Sequence, residues 1–340
     1  MADAEVAVVV ALDGMGGDRA PVEPVRGALA AAGPSLRVLL VGDEPLLRAE
    51  MARQGEAAAP HVEVVHAPDR IRSDEEGARA VRAKPDASLV RACRLVADGR
   101  ARAAVSTGHT GAMMAASTLV LRRVPGVLRP GLAVVVPTSA GPLVLIDAGA
   151  NAEARPEHLA QFALMGRLFA VDVLGIAEPR VGLLSIGEEA GKGSDLVLAA
   201  FAALEGTPGF VGNVEGRDIP RGTVDVVVTD GFTGNVALKV AEGIAAMVVG
   251  ELRGALMASP RGRVAGALVR PSLRGVVERI DPEEYGGAYL LGVRGLAVIG
   301  HGNASGRGIA NALRMAARGV REGLVAQLEA GVGGRRAPVG

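Results

Sequence analysis

The chain has 340 residues, 49% of them hydrophobic, and a formal net charge of zero at pH 7, so it can bury the core of one large α/β unit or of two lobes of one. The balanced charge and the few aromatic residues, with no Trp, argue against a nucleic-acid-binding surface. The single cysteine, Cys93, excludes an internal disulfide and fits a buried helix residue in a reducing cytoplasm.

The first residues, MADAEVAVVV, enter an apolar run without a basic leader or a small-residue cleavage site, so no signal peptide is expected. No apolar stretch reaches the ~18 residues that would span a bilayer. We therefore expect a cytoplasmic protein.

Six times along the chain, a run of Val, Leu, Ile and Ala ends in a loop of Gly, Asp, Asn, Thr or His. The runs are VVVALDGMGGD at 8–18, AAVSTGHTGA at 103–112, LVLIDAGAN at 143–151, VGLLSIGEEAGKGS at 181–194, VDVVVTDGFTGN at 224–235 and LAVIGHGNASG at 296–306. Such apolar runs predict strands buried on both faces, and open α/β sheets bind ligands at the carboxyl ends of their strands. We expect several of these loops to build one anion-binding crevice.

Helices are predicted between the strands. Residues 21–32 follow the first loop as a predicted helix, and residues 88–97 form another. Ser73, with Glu76 three residues later, predicts a capping box that opens a third helix in the segment EEGARAVRAK at 75–84. This alternation predicts a mostly parallel sheet with right-handed crossovers.

One segment breaks the alternation. Between residues 251 and 279, six arginines face two glutamates and are interleaved with Leu, Val and Met. The pattern predicts short amphipathic helices, broken at Pro260 and Pro271, that project from the sheet as an arm. Contact with an anionic membrane surface and packing in a dimer both fit such an arm. The catalytic domain would span residues 1–330, and residues 331–340 are predicted to be a disordered tail.

Only three of the 37 basic residues are lysines: Lys84, Lys192 and Lys239. Because lysine is a compact cation with rotatable donors, its survival in so Arg-rich a chain suggests a specific role. Lys192 and Lys239 lie just beyond a strand-to-loop junction, where a phosphate would bind. The segment GEEAGKGS around Lys192 fails the Walker A spacing, so nucleoside triphosphate chemistry is not expected.

The first two loops could cradle an anion. In LDGMGGD the glycines would let amides approach an anion at a helix start, or would form a tight turn with Asp18 as the helix cap. In STGHTGA, hydroxyls and amides suit a phosphate or carbonyl, and His109 could shuttle a proton or serve as a polar cap. The candidates are Asp13, Gly16, Gly17, Asp18, Gly108, His109, Thr110 and Gly111.

Two later segments add charge beside predicted strands. In NVEGRD at 213–218, Arg217 either pairs with Glu215 or Asp218 or helps to hold a ligand. DGFTGN at 230–235 repeats the strand-end pattern about one helical turn before Lys239. The candidates here are Asn213, Glu215, Arg217, Asp230 and Asn235.

No G-x-S-x-G elbow, Cys-His pair or H-E-x-x-H zinc motif is present. If inorganic phosphate were the nucleophile, neither a nucleophilic side chain nor a strong base would be needed, because phosphate is already anionic near neutral pH. The protein would need a phosphate cradle and oxyanion donors, each good donor contributing roughly 3 kcal/mol. We predict no metal and no cofactor.

Taken in order, the motifs resemble the PlsX family of bacterial phosphate acyltransferases. The resemblance runs from about Val8 to Ala317 and rests on LDGMGGD, LVGD, RAKPDAS, STGHTGA, DAGAN, RPEHLAQFA, RVGLLSIGEEAGKG, FVGNVEGRDI, DVVVTDGFTGNVALK, YGGAYLLGV and HGNAS. It implies a three-layer α/β/α fold similar to isopropylmalate dehydrogenase. It implies transfer of a fatty acyl group from acyl carrier protein to inorganic phosphate for phospholipid synthesis. It also implies a homodimer that associates peripherally with the inner face of the cell membrane.

By position, the resemblance assigns the anion cradle to Asp13, Gly16, Gly17, Gly108, Thr110 and Gly111. It assigns polar contacts to Lys192, Asn213, Glu215, Arg217, Asp230, Asn235, Lys239 and His301. The sequence departs from the family pattern at four positions: Gly14 for the usual Ala, His109 for Asn, Tyr289 for Pro and Asn303 for Ser. The imidazole of His109 is larger than a carboxamide and titrates, so its role stays open.

The expected mechanism is direct attack by bound phosphate on the thioester carbonyl. Lys192 or Lys239 would neutralise the phosphate, and Asn235 or amides of the second loop would stabilise the oxyanion. His301 or His109 would protonate the leaving thiolate. The alternatives are a phosphate acetyltransferase-like enzyme that uses acyl-CoA, a dehydrogenase of similar fold, and a non-catalytic protein that binds membranes through the arm. The missing G-x-G-x-x-G fingerprint argues against a nicotinamide cofactor.

Overall fold

The computed structural model describes residues 7–333, without the side chains of residues 270, 272, 273, 276–280 and 282. Eleven strands form its central sheet. In chain order they are β1 (Val8–Asp13), β2 (Leu36–Gly42), β3 (Val62–His66), β4 (Ala103–Ser106), β5 (Gly131–Thr138), β6 (Gly141–Ile146), β7 (Val181–Leu184), β8 (Phe210–Val214), β9 (Val226–Val228), β10 (Ala288–Leu291) and β11 (Leu296–Ile299).

The sheet is mostly parallel. Its strand order is β3-β2-β1-β4-β11-β10-β5-β6-β9-β7-β8, and seven of the ten strand pairs in the described residues are parallel. The three antiparallel pairs, β11 with β10, β10 with β5 and β5 with β6, lie together in the middle. This arrangement confirms the predicted α/β class.

The antiparallel pairs give the two halves of the sheet opposite directions. Three reversals separate β11 from β6, so β1 to β4 and β11 run one way while β6, β9, β7 and β8 run the other. The polar loops therefore leave the sheet at two opposite ends. β10 and β5 lie between the two halves.

Helices cover both faces of the sheet. They are α1 (Val22–Ala31), α2 (Glu44–Arg53), α3 (Gly77–Ala83), α4 (Ser88–Ala97), α5 (Thr110–Ala116), α6 (Pro156–Asp172), α7 (Asp195–Leu204), α8 (Asp218–Arg221), α9 (Gly231–Met257), α10 (Pro260–Ile280), α11 (Gly306–Arg321) and α12 (Leu324–Gly333). Side chains of α1, α6, α11 and α12 fill one core layer, and those of α3, α4 and α5 fill the other.

The apolar runs supply both core layers because successive side chains of a strand point to opposite faces. In β1, Val10 and Leu12 enter the first layer, while Ala11 enters the second. Tyr289 of β10 is buried, packs edge-on against Phe169 at 4.9 Å between ring centroids, and donates its hydroxyl to Met315 O at 2.5 Å.

Several local predictions can be compared with the helices. The helix predicted over 88–97 has those bounds in α4, and Cys93 is buried in it, where burial raises the pKa of its thiol to about 12. The capping box at Ser73 is wrong, because α3 begins after Glu76 without a side-chain cap. Residues 331–333, predicted as the start of a tail, end α12; residues 334–340 lie outside the described part.

The predicted arm corresponds to two long helices, α9 and α10, which pack against each other. The break at Pro260 is confirmed, since α10 begins there, whereas Pro271 lies inside α10 and does not end it. Apolar side chains of both helices are exposed, including Met247, Met257 and Leu268. Among the described residues, α9 is the one helix long and apolar enough to cross a membrane by length and composition. That finding corrects the expectation that no stretch is long enough.

Candidate active site

A cavity of about 350 Å³ lies over the middle of the sheet, where loops from both ends meet. We call it the central cavity. The start of α5, the loop after β6, the first two turns of α9 and the loop after β11 surround it. Its polar lining comprises Thr110, Gly111, Asn235, Lys239 and His301, all of them predicted site residues.

His109 caps α5 and is tied at both ring nitrogens. Its Nδ1 accepts from Ala112 N at 3.2 Å, so Nε2 carries the proton and donates to Glu75 O at 2.8 Å. With both nitrogens occupied, this imidazole has a structural role. The amides of Thr110 and Gly111 have no acceptor within residues 7–333 and are available to a ligand.

The start of α9 is held against the loop after β6. Asp230 caps the helix through Thr233 N at 2.9 Å, and Gly231 N donates to Asn151 O at 2.8 Å. At Gly234 a Cβ atom would lie 1.9 Å from the Asp147 carbonyl oxygen, so only glycine permits this approach. The contact places Asn235, one residue later, beside the central cavity.

Asp147, which was not among the predicted site residues, anchors that loop. Its fully buried carboxylate accepts from the amides of Leu132, Gly149 and Ala150 at 2.8–3.1 Å, and from Asn151 N and Nδ2 at 2.8 Å. Burial raises the pKa of Asp147, and the hydrogen bonds oppose that shift. Its place after an apolar run, in DAGAN, was the available signal.

Lys239 and His301 share a carboxylate. Lys239 Nζ lies 2.8 Å from Glu242 Oε2, and His301 Nε2 lies 3.6 Å from Glu242 Oε1. Glu242 is therefore a candidate functional residue that was not predicted from the sequence. Its spacing of three residues from Lys239 on one helix face was the signal that could have found it.

Asp13, Gly16 and Gly17 hold the loop after β1 against the loop after β4. The buried Asp13 carboxyl accepts from Ser88 Oγ at 2.6 Å and Ser106 Oγ at 2.7 Å, and burial raises its pKa. A Cβ at Gly16 would lie 2.9 Å from Gly108 N, and one at Gly17 would lie 2.9 Å from Thr107 Oγ1. These glycines permit close packing of the two loops.

Asp18 does not cap α1, whose N-cap is Pro21 without a side-chain bond. Its amide instead donates to Gly302 O at 2.8 Å, which joins the first loop to the loop after β11. Gly108 N donates to Ser106 Oγ at 3.0 Å. None of Asp13, Gly16, Gly17, Asp18 and Gly108 is among the residues that line the central cavity.

The remaining predicted residues form a separate group, which we call the β7–β8 cluster: Lys192, Asn213, Glu215 and Arg217. Asn213 Nδ2 donates to Glu189 O at 2.8 Å. Arg217 pairs with Glu215 at 3.0 Å and with Glu188 at 3.3 Å, as in the pairing alternative that the sequence left open. Lys192 is exposed, and the cluster contributes nothing to the lining of the central cavity.

A second cavity of about 660 Å³, here the apolar cavity, adjoins the central one between β5, α8 and α9. Val134, Leu238, Gly287 and His301 line both cavities. Its walls are mostly aliphatic, from Val, Ile, Leu, Ala and Pro, and Glu242 is its one carboxylate. A long hydrocarbon chain can be buried there next to a polar centre.

No group of three or more His, Cys, Asp or Glu side chains that could hold a metal ion occurs in the described range.

Curated proteins of similar sequence share almost the whole chain. Phosphate acyltransferase from Thermus thermophilus is 52% identical over 321 residues, which cover 94% of this chain and 97% of that protein. Phosphate acyltransferase from Moorella thermoacetica is 48% identical over 321 residues, or 94% of each. A family model described as "Fatty acid synthesis protein" matches residues 8–327. The chain belongs to the PlsX family of phosphate acyltransferases.

Membership of the PlsX family makes the chain an acyltransferase that uses phosphate as a substrate. Solved structures agree with the fold. EutD phosphotransacetylase from Staphylococcus aureus has a TM-score of 0.60 at 16% identity, and a phosphotransacetylase from Streptococcus pyogenes has 0.61 at 14%; each comparison covers 93% of this chain and 94% of the other. A 4-hydroxythreonine-4-phosphate dehydrogenase from Klebsiella pneumoniae has 0.53 at 16%, covering 92% of this chain and 98% of that one.

Proposed function

We propose that this PlsX-family enzyme transfers a fatty acyl group from acyl carrier protein to inorganic phosphate and produces an acyl phosphate for phospholipid synthesis. The observation that carries the proposal is the junction of the two cavities. The central cavity is lined by the cation of Lys239 and by the residues of two amides that are unbonded among the described residues, and it shares four lining residues with the apolar cavity. This arrangement suits an anionic nucleophile beside the carbonyl of a long acyl thioester.

Phosphate would bind in the central cavity. Lys239 supplies a cation there, and the amides of Thr110 and Gly111 at the start of α5 would donate hydrogen bonds to the phosphate. Because Lys192 lies outside this lining, we assign phosphate binding to Lys239 alone of the two lysines. The rigid packing of α9 on the loop after β6 would hold phosphate close to the thioester.

The reaction would proceed by direct attack. A phosphate oxygen bonds to the thioester carbon, and the tetrahedral oxyanion is stabilised by Asn235 or by the Gly111 amide. Collapse of this intermediate breaks the carbon–sulfur bond. His301 would protonate the leaving thiolate, because it lines both cavities, where the sulfur would lie, with its Nε2 3.6 Å from Glu242 Oε1. His109 is not the acid in this scheme, because both its nitrogens are bonded.

The size of the apolar cavity favours a fatty acyl substrate over acetyl. An acetyl group would leave about 660 Å³ of aliphatic-lined space unfilled, and the free energy of transfer grows by about 0.8 kcal/mol per buried CH₂. An enzyme that transfers acetyl groups, as in the phosphate acetyltransferase-like alternative, would not need this cavity. A non-catalytic membrane protein has no use for the central cavity.

The α9–α10 hairpin is our candidate for the predicted peripheral contact with the inner face of the membrane. Exposed apolar residues on both helices, among them Met257 and Leu268, support it. Packing in a homodimer is the competing role. Liposome flotation with and without anionic lipid, together with the oligomeric state at equilibrium in solution, separates the two roles.

The function is tested by following release of the carrier thiol from acyl carrier protein at a series of chain lengths. We expect release only when phosphate is present, and a kcat/KM that increases from acetyl to long acyl chains. Release without phosphate, or preference for acetyl-CoA, would contradict the proposal.

A further inference from the structure

A third cavity, of about 700 Å³, adjoins the central cavity on a different side from the apolar cavity. Gly111 and Met114 line both it and the central cavity, whereas it shares no lining residue with the apolar cavity. The central cavity thus lies between two larger spaces. A substrate that crosses it has one end in each.

The third cavity is cationic, and we call it the arginine cavity. Arg82 from α3, with Arg123 and Arg129 from the loop before β5, contribute to its lining, which contains no carboxylate. Arg123 donates to the carbonyls of Val127 and Leu128 and so fixes its own loop. Arg82 and Arg129 are both exposed, and Arg129 also lines a neighbouring cavity with Glu153 and Glu157, of which Glu157 pairs with Arg155. Two exposed guanidinium groups beside an open cavity attract an anion.

The remaining walls are apolar or uncharged. Ala78, Ala115, Thr118 and Leu119 line the space between the arginines and the central cavity. They suit a slender ligand of mixed polarity that ends in an anion. Arginine binds phosphate oxygens in bidentate geometry, so the anionic end is best matched by a phosphate ester.

We propose that the arginine cavity binds the pantetheine arm of the thioester donor, with Arg82 and Arg129 on its phosphodiester. The proposal rests on the function proposed above, in which the thioester carbonyl lies in the central cavity and the acyl chain in the apolar cavity. The arm on the sulfur side must then leave through the third space. The phosphodiester that joins the arm to its carrier is the anion at its far end.

The test compares two protein-free donors, an acyl-4′-phosphopantetheine and the acyl-pantetheine that lacks the phosphate. In the double variant Arg82→Gln/Arg129→Gln, we expect the KM of the phosphorylated donor to rise about tenfold, as for loss of a charge-assisted contact. The KM of acyl-pantetheine and of inorganic phosphate should not change. Arg37→Gln is the matched control, because Arg37 is exposed near the start of β2 and does not line the arginine cavity.

Equal effects on both donors, or no effect on either, would overturn the proposal. An effect seen only with the whole carrier protein would also overturn it, because the arginines would then face the carrier surface. Calorimetry with 4′-phosphopantetheine and with pantetheine, neither of which carries an acyl chain, measures the affinity of the arginine cavity for each ligand independently of turnover. If the wild-type enzyme binds the phosphorylated arm more tightly but releases no thiol, the function fails and the cavity assignment stands.

Discussion

The central cavity and the β7–β8 cluster both arise where apolar strands end in polar loops, yet they are held differently. In the loops near the central cavity, the buried carboxyl of Asp13 accepts from the hydroxyls of Ser88 and Ser106, and that of Asp147 accepts from amides of its own loop. In the cluster, Arg217 pairs with Glu188 and Glu215 on the surface. Buried hydrogen-bond networks fix geometry, whereas exposed ion pairs contribute about 0–1 kcal/mol. The rigid loops, rather than the most charged ones, therefore build the site.

The two lysines near strand-end loops differ in the same way. Lys192 and Lys239 each follow a strand-end loop, but β7 is next to the edge of the sheet, while α9 starts from the loop after β9 and packs over the middle. Lys239 lines the central cavity and Lys192 does not. Substitutions in both regions can test this distinction.

Replacing Lys239 by Ala should have the largest effect. We expect kcat/KM for phosphate-dependent thiol release to fall about 10²–10³-fold, because one charged donor to the reacting phosphate is lost. Steady-state kinetics at varied phosphate measure it. Lys192→Ala is the matched control and should leave turnover nearly unchanged. Equal losses in both variants would erase the distinction between the two regions.

Replacing His301 by Gln should lower kcat by about 10²-fold with the carrier thiol as leaving group, because the general acid is absent. A thioester of an acidic aryl thiol should lose much less, since its thiolate departs without a proton. Turnover of the two donors by the wild type and the variant gives the comparison. An identical loss with both thioesters would remove His301 from the acid role.

Replacing Asp13 by Asn should lower the free energy of unfolding by about 1–3 kcal/mol, because a buried acceptor of two hydroxyls is altered. Burial raises the folded-state pKa of Asp13 above its unfolded value. Its contribution is therefore complete below the unfolded pKa and is lost as pH rises through the folded pKa. Urea unfolding at several pH values should show the destabilisation shrink as pH rises. Growth of the destabilisation with pH would mean that the folded pKa is lowered.

Replacing Arg217 by Ala should have the smallest effect, less than about 1 kcal/mol of unfolding free energy, because its ion pairs are exposed. The loss should shrink further at high salt, which screens surface charges. Urea unfolding at low and high salt measures both values. A loss as large as that of Asp13→Asn would show that the two regions are held alike.

Much of the fold follows from local sequence. The bounds of α4 and the positions of the six strands predicted from the apolar runs are confirmed, because buried runs and helical periodicity depend on near neighbours. The predicted break at Pro271 was wrong, since a proline removes one helical hydrogen bond but does not have to end a helix. The capping box at Ser73 failed because the chain makes a turn there instead, with Arg72 N bonded to Glu75 Oε1 at 2.7 Å.

The site was harder to predict because it depends on strand direction. The sequence shows six similar loops, but which ends of the sheet they leave is set by the antiparallel pairs around β10 and β5. That is why Lys239, Asn235 and His301 could be named as candidates while Lys192 could not be set apart from them. Glu242 meets His301 from a distant part of the chain, a contact that local patterns do not reveal. Asp147 bonds mostly within its own loop, so its place in DAGAN was a local signal that the site prediction did not use.

The central claim is that bound phosphate attacks the thioester without a covalent enzyme intermediate. Intact-protein mass spectrometry of the enzyme mixed with acyl carrier protein thioester, before and after phosphate is added, tests it most directly. We expect an unmodified enzyme mass throughout and release of carrier thiol only after phosphate is added. An acylated enzyme that forms without phosphate and disappears when phosphate is added would contradict it.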